Sequence, residues 1–262
     1  MSPDLPSIKP DAVLDRELAY YESAYSSYIP GLFAQAAVVQ FRHYLVRRIL
    51  GATGAGPQSR VLSIGCGIGD TELLLAPHVA HVTAVDLSPA AIGEAQRAAT
   101  ARAISNVDFV AGSWQTSQLI GAPFDIVVGI FFLHHLPVQD LHAFPGQLKK
   151  VLRSSGTFYA LDPSARRLSG FLGELLVPKL MRKYQTDNEH PLVPQLAAAP
   201  FRAAGFETVT RWFDFTSTPL AGLFPSWKAG YRLGRLLDEG LTRVPLLRQF
   251  SSNFELIARM RE

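Results

Sequence analysis

The chain has 262 residues, of which 48% are hydrophobic and 18% charged, with a formal net charge of +3. That composition excludes a disordered chain and is enough to build one large α/β domain with a modest cap. A single cysteine, Cys66, excludes an intramolecular disulfide and a cysteine-built metal centre.

Charge is unevenly spread. Residues 163–262 hold 14 Lys+Arg against 9 Asp+Glu, while residues 1–162 hold 11 against 13. A basic C-terminal third suits a solvated surface first, and an anionic substrate or a membrane surface second. No Lys/Arg block tracks a phosphate backbone, so nucleic acid is not an expected partner. The N-terminal MSPDLPSIKPDAVLDRE lacks the apolar core of a signal peptide. The longest apolar stretch, around Ile126 to Leu133, is far short of a membrane span. A soluble, cytoplasmic protein is the expectation, with its oligomeric state left open.

In chain order, residues 1–11 read as a loose tail and residues 12–50 as two helices broken near Pro30-Gly31. The second keeps Phe33, Ala37, Phe41, Leu45 and Ile49 at helical spacing, with Arg42, Arg47 and Arg48 beside them. Gly51 to Pro57 reads as a glycine-rich connection. A strand–helix alternation follows: strands at Arg60–Ile64, His81–Val85, Asn106–Val110, Phe124–Ile130 and Thr157–Leu161. Between them fall helices from Asp70 to about His78, Pro89–Arg102 and Val138–Leu152, the second opened by Ser88 as N-cap and Pro89 at its first position. This rhythm predicts a Rossmann-like, doubly wound, mostly parallel sheet of seven strands. N-terminal helices (1–50) would act as a lid on the main domain (51–262), with cap segments at about 163–204 and 216–250.

Beyond Asp162 the rhythm changes. Residues 165–183 place Leu168, Phe171, Leu172, Leu175, Leu176 and Leu180 on one helical face, with Arg166, Arg167, Lys179, Arg182 and Lys183 around it. A polar loop at 184–194 contains Gln185 to His190, and a helix spans 195–204. An extended run goes from Gly205-Phe206 to Phe215, and helical spacing returns over 219–241 with Leu220, Leu223, Phe224, Trp227, Tyr231 and Leu237. The two apolar stripes are expected to pack on each other, with part of them lining an acceptor pocket. Phe254–Met260 closes the sheet.

The glycine turn carries the cofactor argument. Gly65, Gly67 and Gly69 lie between a strand and a helix, where glycine permits positive φ and close approach of a ligand. A dinucleotide fold would need G-x-G-x-x-G with a glycine at position 70 and a pyrophosphate on the helix N-terminus. Residue 70 is Asp, which disfavours an anion, so the G-x-G-x-G spacing suits a cofactor without a diphosphate. Asp86 ends the second strand, where it could accept from ribose hydroxyls or cap the next helix. Beside the glycine turn, ribose binding is the favoured reading.

On these residues the chain resembles a family. VLSIGCGIGDTELLLAPHVAHVTAVDLSPAAIGEAQ looks like motifs I and II of class I S-adenosylmethionine (SAM)-dependent methyltransferases. FDIVVGIFFLHHLP resembles their strand-four motif, and LRSSGTFYALD their strand-five motif. The resemblance covers residues 55–162 well and implies SAM as cofactor, held by Gly65, Cys66, Gly67, Gly69, Asp86 and Leu87. It places Gly112, Ser113 and Trp114 near the adenine, with Trp114 either stacking on the ring or packing in the core. Gly129, Ile130 and Phe131 would line the sulfonium end. The family often carries an acid two residues before the first glycine; this chain has Ser63, which puts its methionine-end binding in question.

Methyl transfer from a sulfonium is an in-line displacement that needs alignment, exclusion of water and, for a hydroxyl acceptor, a base. His134 and His135 follow strand four and Asp162 follows strand five, so an imidazole and a carboxylate are expected on one rim. In some sugar O-methyltransferases that this chain resembles, the first such histidine acts as base with the strand-five aspartate; the same His-His-Leu-Pro turn is also found as plain structure. Tyr20, Tyr21, Tyr25 and Tyr28 crowd the N-terminal helix; most are read as packing, with Tyr21 and Tyr25 the candidates to touch cofactor. The leading expectation is methylation of a small-molecule hydroxyl, on a sugar or secondary metabolite. The alternatives are N- or C-methylation of a small or lipid-linked molecule, a SAM-binding protein without catalysis, and an NAD-type oxidoreductase, against which Asp70 argues.

Overall fold

The computed structural model describes residues 10–115, 122–176 and 190–261. Its centre is a seven-stranded sheet in the order β3-β2-β1-β4-β5-β7-β6. β1 (Arg60–Ile64), β2 (His81–Asp86), β3 (Val107–Ala111), β4 (Phe124–Ile130) and β5 (Leu152–Pro163) are parallel. β7 (Asn253–Met260) runs antiparallel between β5 and β6 (Phe206–Asp214). The order reverses between β1 and β4, and a crevice at such a switch point, outside the carboxyl ends of the strands, is where open α/β sheets bind ligands. β1 and β4 hold their central place because Val61–Ile64 and Ile126–Gly129 are buried throughout, as strands covered on both faces must be.

β5 starts five residues earlier than its apolar run suggested. Leu152 pairs with Phe124 and Thr157 with Ile126, so the register shifts and exposed Arg153, Ser154 and Ser155 fall between the two pairings. That polar interruption hides the strand's beginning from a periodicity reading.

The N-terminal region forms three helices, not two: α1 (Pro10–Tyr25), α2 (Ile29–Phe33) and α3 (Ala36–Thr53). Pro30 and Gly31 lie inside α2, where a proline in the first turn forfeits no hydrogen bond. α3 overruns the expected connection at Gly51 and stops at Gly54, left-handed at φ 74°, whose N–H bonds to the Leu50 carbonyl. α4 (Glu72–Leu75), continued by a 3₁₀ turn over Ala76–His78, follows β1. α5 (Pro89–Ala101) follows β2 and is capped as expected, Ser88 Oγ accepting from Ala91 N at 3.0 Å. α6 (Val138–Leu148) and α8 (Pro194–Ala203) cover one sheet face through Phe144 and Phe201, which meet Phe158 at ring-centroid distances of 5.3 Å each.

α7 (Leu168–Leu176) is the described part of the helix expected at 165–183; residues 177–189 lie outside the described residues, and with them most of the 184–194 loop. Between β6 and β7 come α9 (Ser217–Leu223), α10 (Lys228–Leu241) and α11 (Pro245–Arg248). The expected single stretch at 219–241 is thus split over Phe224–Trp227, where the Pro225 carbonyl accepts from Ala37 N at 2.8 Å. Buried Asp238 of α10 fastens the region to β6: its carboxylate accepts from Phe215 N, Thr216 N and Ser217 N at 2.8–3.0 Å. The apolar residues here do not simply pack on one another. Tyr231 is buried, but Leu233, Leu236 and Leu237 are more than half exposed. No helix among the described residues is long and apolar enough to cross a membrane.

Candidate functional site

The turn after β1 is built by its glycines and by β2. Gly65, Gly67 and Gly69 have φ of 70°, 53° and 72°. Gly65 N and Cys66 N donate to the Val85 carbonyl, tying the turn to the end of β2. Side chains are excluded for a second reason: a Cβ on Gly67 would stand 2.9 Å from the Tyr25 hydroxyl, and one on Gly69 2.6 Å from the Phe109 ring. Cys66 is buried, and burial pushes its thiol well up, which leaves it a packing residue rather than a nucleophile.

Asp86 holds this turn. Its Oδ2 accepts from Gly67 N at 2.7 Å and its Oδ1 from Ser88 N at 2.9 Å. The loop-fastening role seen here thus coexists with room for more, since a carboxylate offers about four acceptor positions. Burial raises the Asp86 pKa against the opposing pull of the two N–H donors. Leu87 beside it is 45% exposed. Gly112, at the end of β3, donates its N–H to the Asp86 carbonyl at 2.8 Å. Ser113 is half-buried and donates its hydroxyl to the Gln115 side chain. Trp114 is buried with its ring edge-on to Phe144 at 5.5 Å. Of its two readings, the geometry gives the core one.

Beneath the glycine turn lies an acid that strand spacing did not reveal. Ser63 Oγ donates to Glu72 Oε1 at 2.6 Å, and Glu72 Oε2 is buried with no hydrogen-bond partner. Burial pushes the Glu72 carboxyl up to about 7, with the Ser63 hydroxyl opposing. The carboxylate absent from β1 is therefore present in space, supplied by the first turn of α4. Nearby, Arg42 of α3 is ion-paired with Asp70 and donates to Thr71 Oγ1 at 3.3 Å. Sequence reasoning saw Arg42 only as a flanking residue; its burial within an apolar helical face was the available signal.

At the neighbouring strand ends the chain builds a second cluster. Phe131 leaves β4 with φ 53°, a left-handed conformation that a bulky residue adopts only under constraint. Its N–H bonds to the Leu161 carbonyl at 2.8 Å, and its ring stacks on Phe41 of α3 at 6.2 Å. The turn delivers Leu133–His135 as a 3₁₀ segment against the end of β5. There His134 Nδ1 lies 2.8 Å from Asp162 Oδ1, which also accepts from His134 N at 3.2 Å. Both side chains are buried, and burial pushes the Asp162 carboxyl up to about 8 against the backbone N–H donors of the turn. With Nδ1 facing the carboxylate, the tautomer and orientation of the His134 ring are set by Asp162.

The remaining expected residues surround this pair. The His134 and His135 rings lie 4.0 Å apart; Tyr21 meets His135 edge-on at 5.8 Å and stacks with Tyr25 at 5.8 Å. Burial also raises the Tyr25 phenol, with Asp86 adding to the effect. Gly129 and Ile130 end β4, and a Cβ on Gly129 would press within 3.3 Å of Phe132. Tyr20 and Tyr28 bond to each other at 3.3 Å, as packing tyrosines would. Of the polar loop, His190 is described, and its N–H bonds to the His134 carbonyl at 3.0 Å.

These residues fit SAM on observations of their own: a carboxylate with spare acceptor positions beside an exposed leucine, and a glycine cradle that a Cβ would fill. Comparison with known proteins agrees. Residues 61–156 match the family described as a methyltransferase domain. The chain is 29% identical over 105 residues to the uncharacterized methyltransferase YcgJ of Bacillus subtilis (strain 168), covering 40% of this chain and 41% of that one. It is 28% identical over 125 residues to the aklanonic acid methyltransferase DauC of Streptomyces sp. (strain C5), covering 44% of this chain and 57% of that one. These matches thus span only about half the length of the relatives. Among solved structures, the fold is similar to magnesium protoporphyrin IX methyltransferase from Synechocystis PCC 6803, determined with bound S-adenosylhomocysteine, with a TM-score of 0.64, 16% identity and coverage of 95% of this chain and 100% of that one. Residues 61–156 thus match a methyltransferase domain, and the sheet order and motifs of the chain resemble those of the class I SAM-dependent methyltransferases.

Proposed function

We propose that the protein transfers a methyl group from SAM to a hydroxyl oxygen of a small molecule. The observation that carries this reading is the 2.8 Å contact between His134 Nδ1 and Asp162, set at the ends of adjacent strands beside the glycine turn. SAM supplies the electrophilic methyl group when bound. Asp86 would accept from the ribose hydroxyls on its spare acceptor positions, and Leu87 and Ser113 would border the adenine. Glu72, through Ser63, stands in for the missing strand acid beneath the methionine end, with the Arg42–Asp70 pair closing that side. Tyr21 and Tyr25 exclude water from the glycine turn. Asp162 holds the Nδ1–H of His134, so that Nε2 accepts the hydroxyl proton as the oxygen attacks.

The small-molecule class is supported by the relatives' names, an aklanonic acid methyltransferase and a magnesium protoporphyrin IX methyltransferase. Titration calorimetry with S-adenosylhomocysteine and with NADH tests the cofactor: heat from the first and none from the second is expected, and the reverse overturns the reading. His134→Ala tests the chemistry. It should keep its affinity for S-adenosylhomocysteine and lose turnover; near-normal turnover at saturating acceptor would remove His134 as the base.

A further inference from the structure

β6 and β7 are antiparallel neighbours whose ends meet at the pair Asp214↔Asn253. Such a pair can close through a turn of a few residues. This chain instead places residues 215–252 between them, beginning and ending at the carboxyl edge where the candidate site lies. The sheet does not require this insertion, and its outer surface is unusual.

α10 has three faces rather than two. Gly230, Tyr231, Gly234 and Asp238 are buried against the body of the protein. Leu233, Leu236 and Leu237, spaced so that they share a side, are 56%, 68% and 52% exposed. Lys228, Arg232 and Glu239 occupy the remaining side, toward solvent. The exposed apolar surface continues beyond the helix with Leu246, 77% exposed. Phe171 of α7 is likewise 66% exposed, and α7 is joined to the end of the insertion by Leu168 N donating to the Phe250 carbonyl at 3.1 Å. Trp227, half exposed, closes the other end, where Pro225 is bonded to the start of α3.

Charge decides what covers this surface. Within residues 222–250 the exposed cations are Lys228, Arg232, Arg243 and Arg248, and the only exposed acid is Glu239. A second copy of the chain docked about a two-fold axis would set this cationic border against itself. An anionic bilayer meets both halves of the pattern. Leucines enter the acyl boundary, the indole sits at the headgroup level, and Lys and Arg reach lipid phosphates.

We propose that residues 215–252 seat the carboxyl edge of the sheet on an anionic lipid surface, so that an acceptor dissolved in or attached to the membrane reaches His134 from that side. The acceptor part of this proposal rests on the methyltransferase reading above; the membrane part does not. The test uses the full chain with phosphatidylcholine vesicles and with mixed phosphatidylcholine–phosphatidylglycerol vesicles. Cosedimentation with the mixed vesicles, weakened by high salt and much lower with phosphatidylcholine alone, is expected. Leu233→Gln/Leu236→Gln/Leu237→Gln should abolish vesicle binding while keeping the thermal midpoint and the affinity for S-adenosylhomocysteine. Arg232→Gln/Arg243→Gln should weaken binding to the anionic vesicles by about tenfold or more. No cosedimentation of the parent protein, or a triple variant that binds vesicles as the parent does, overturns the proposal. So does a parent that is a dimer, fails to bind vesicles and becomes monomeric in the triple variant. Loss of vesicle binding with intact S-adenosylhomocysteine binding would leave the methyltransferase reading standing; the opposite pattern would leave the membrane surface standing.

Discussion

The two ends of the molecule solve their problems in different ways. From β1 to β5, residues 60–163, central site residues are fastened by hydrogen bonds within the region: Gly67 N to the Asp86 carboxylate, Gly112 N to the Asp86 carbonyl, His134 to the Asp162 carboxylate. In the 215–252 insertion the backbone is fastened just as firmly, by Asp238 and Asp214, but the side chains that matter point outward. The first region is specified by what the chain does to itself. The second leaves part of its apolar surface exposed, with Leu233, Leu236 and Leu237 more than half open to solvent.

Experiments can break this contrast or sharpen it. The largest expected effect is His134→Ala, which should lower kcat by about 10²- to 10⁴-fold if the buried pair holds a general base; stopped-time assay of S-adenosylhomocysteine release reads it. Next comes Gly69→Ala, which forces a Cβ into the Phe109 ring at a left-handed φ. A loss of about 2–4 kcal/mol in urea unfolding is expected, from the sum of overpacking and backbone strain. Asp86→Asn should weaken S-adenosylhomocysteine binding by about tenfold or more, because hydrogen bonds to a charged group are worth about 1.5–3 kcal/mol; calorimetry measures it, and unchanged affinity would confine Asp86 to fastening the loop.

Glu72→Gln gives a pH-dependent effect. Glu72 titrates at about 7 in the fold against a usual 4.5, so between these values the unfolded chain sheds its proton while the folded one keeps it. Stability contributed by the protonated form is complete below about 4.5, falls as pH rises toward 7 and is then level. The amide should make the protein more stable than its parent by about 2–3 kcal/mol above that window, with the difference vanishing at its acid end. The same variant should bind S-adenosylhomocysteine less well if the acid serves the methionine end. The smallest effect belongs to Ser113→Ala: its half-buried hydroxyl already has Gln115 as partner, and the affinity should change by less than about threefold.

How much of this was legible from the residues follows the same division. The five parallel strands and the glycine turn are readable because β-strand burial and φ constraints leave marks at fixed spacing: continuous apolar runs at Ile126–Gly129, glycines at 65, 67 and 69. His134 and Asp162 were readable together because adjacent strand ends are a consequence of topology. Glu72 was not, since its meeting with Ser63 depends on how α4 folds back beneath β1 rather than on any spacing along a strand. Arg42 escaped for the same reason, its partner Asp70 lying on another element. In α10 the pattern placed Tyr231 and Leu237 on one stripe, whereas the structure buries the first and exposes the second. Periodicity is silent, however, on whether a side faces protein or solvent: Tyr231 packs as expected, Leu237 of the same expected stripe is half exposed, and exposed Leu233 and Leu236 are not singled out by it at all.

One consequence follows from the register pair Asp214↔Asn253. Because departure and return are neighbours across a single rung, the seven-stranded scaffold is indifferent to the length of chain strung between them. Loop-closure entropy grows only slowly with such length, so a graft at this rung can be exchanged at little thermodynamic expense. The residues of the candidate site and those of the exposed apolar surface thus lie in separable stretches of the polypeptide, and either can change sequence without disturbing the other.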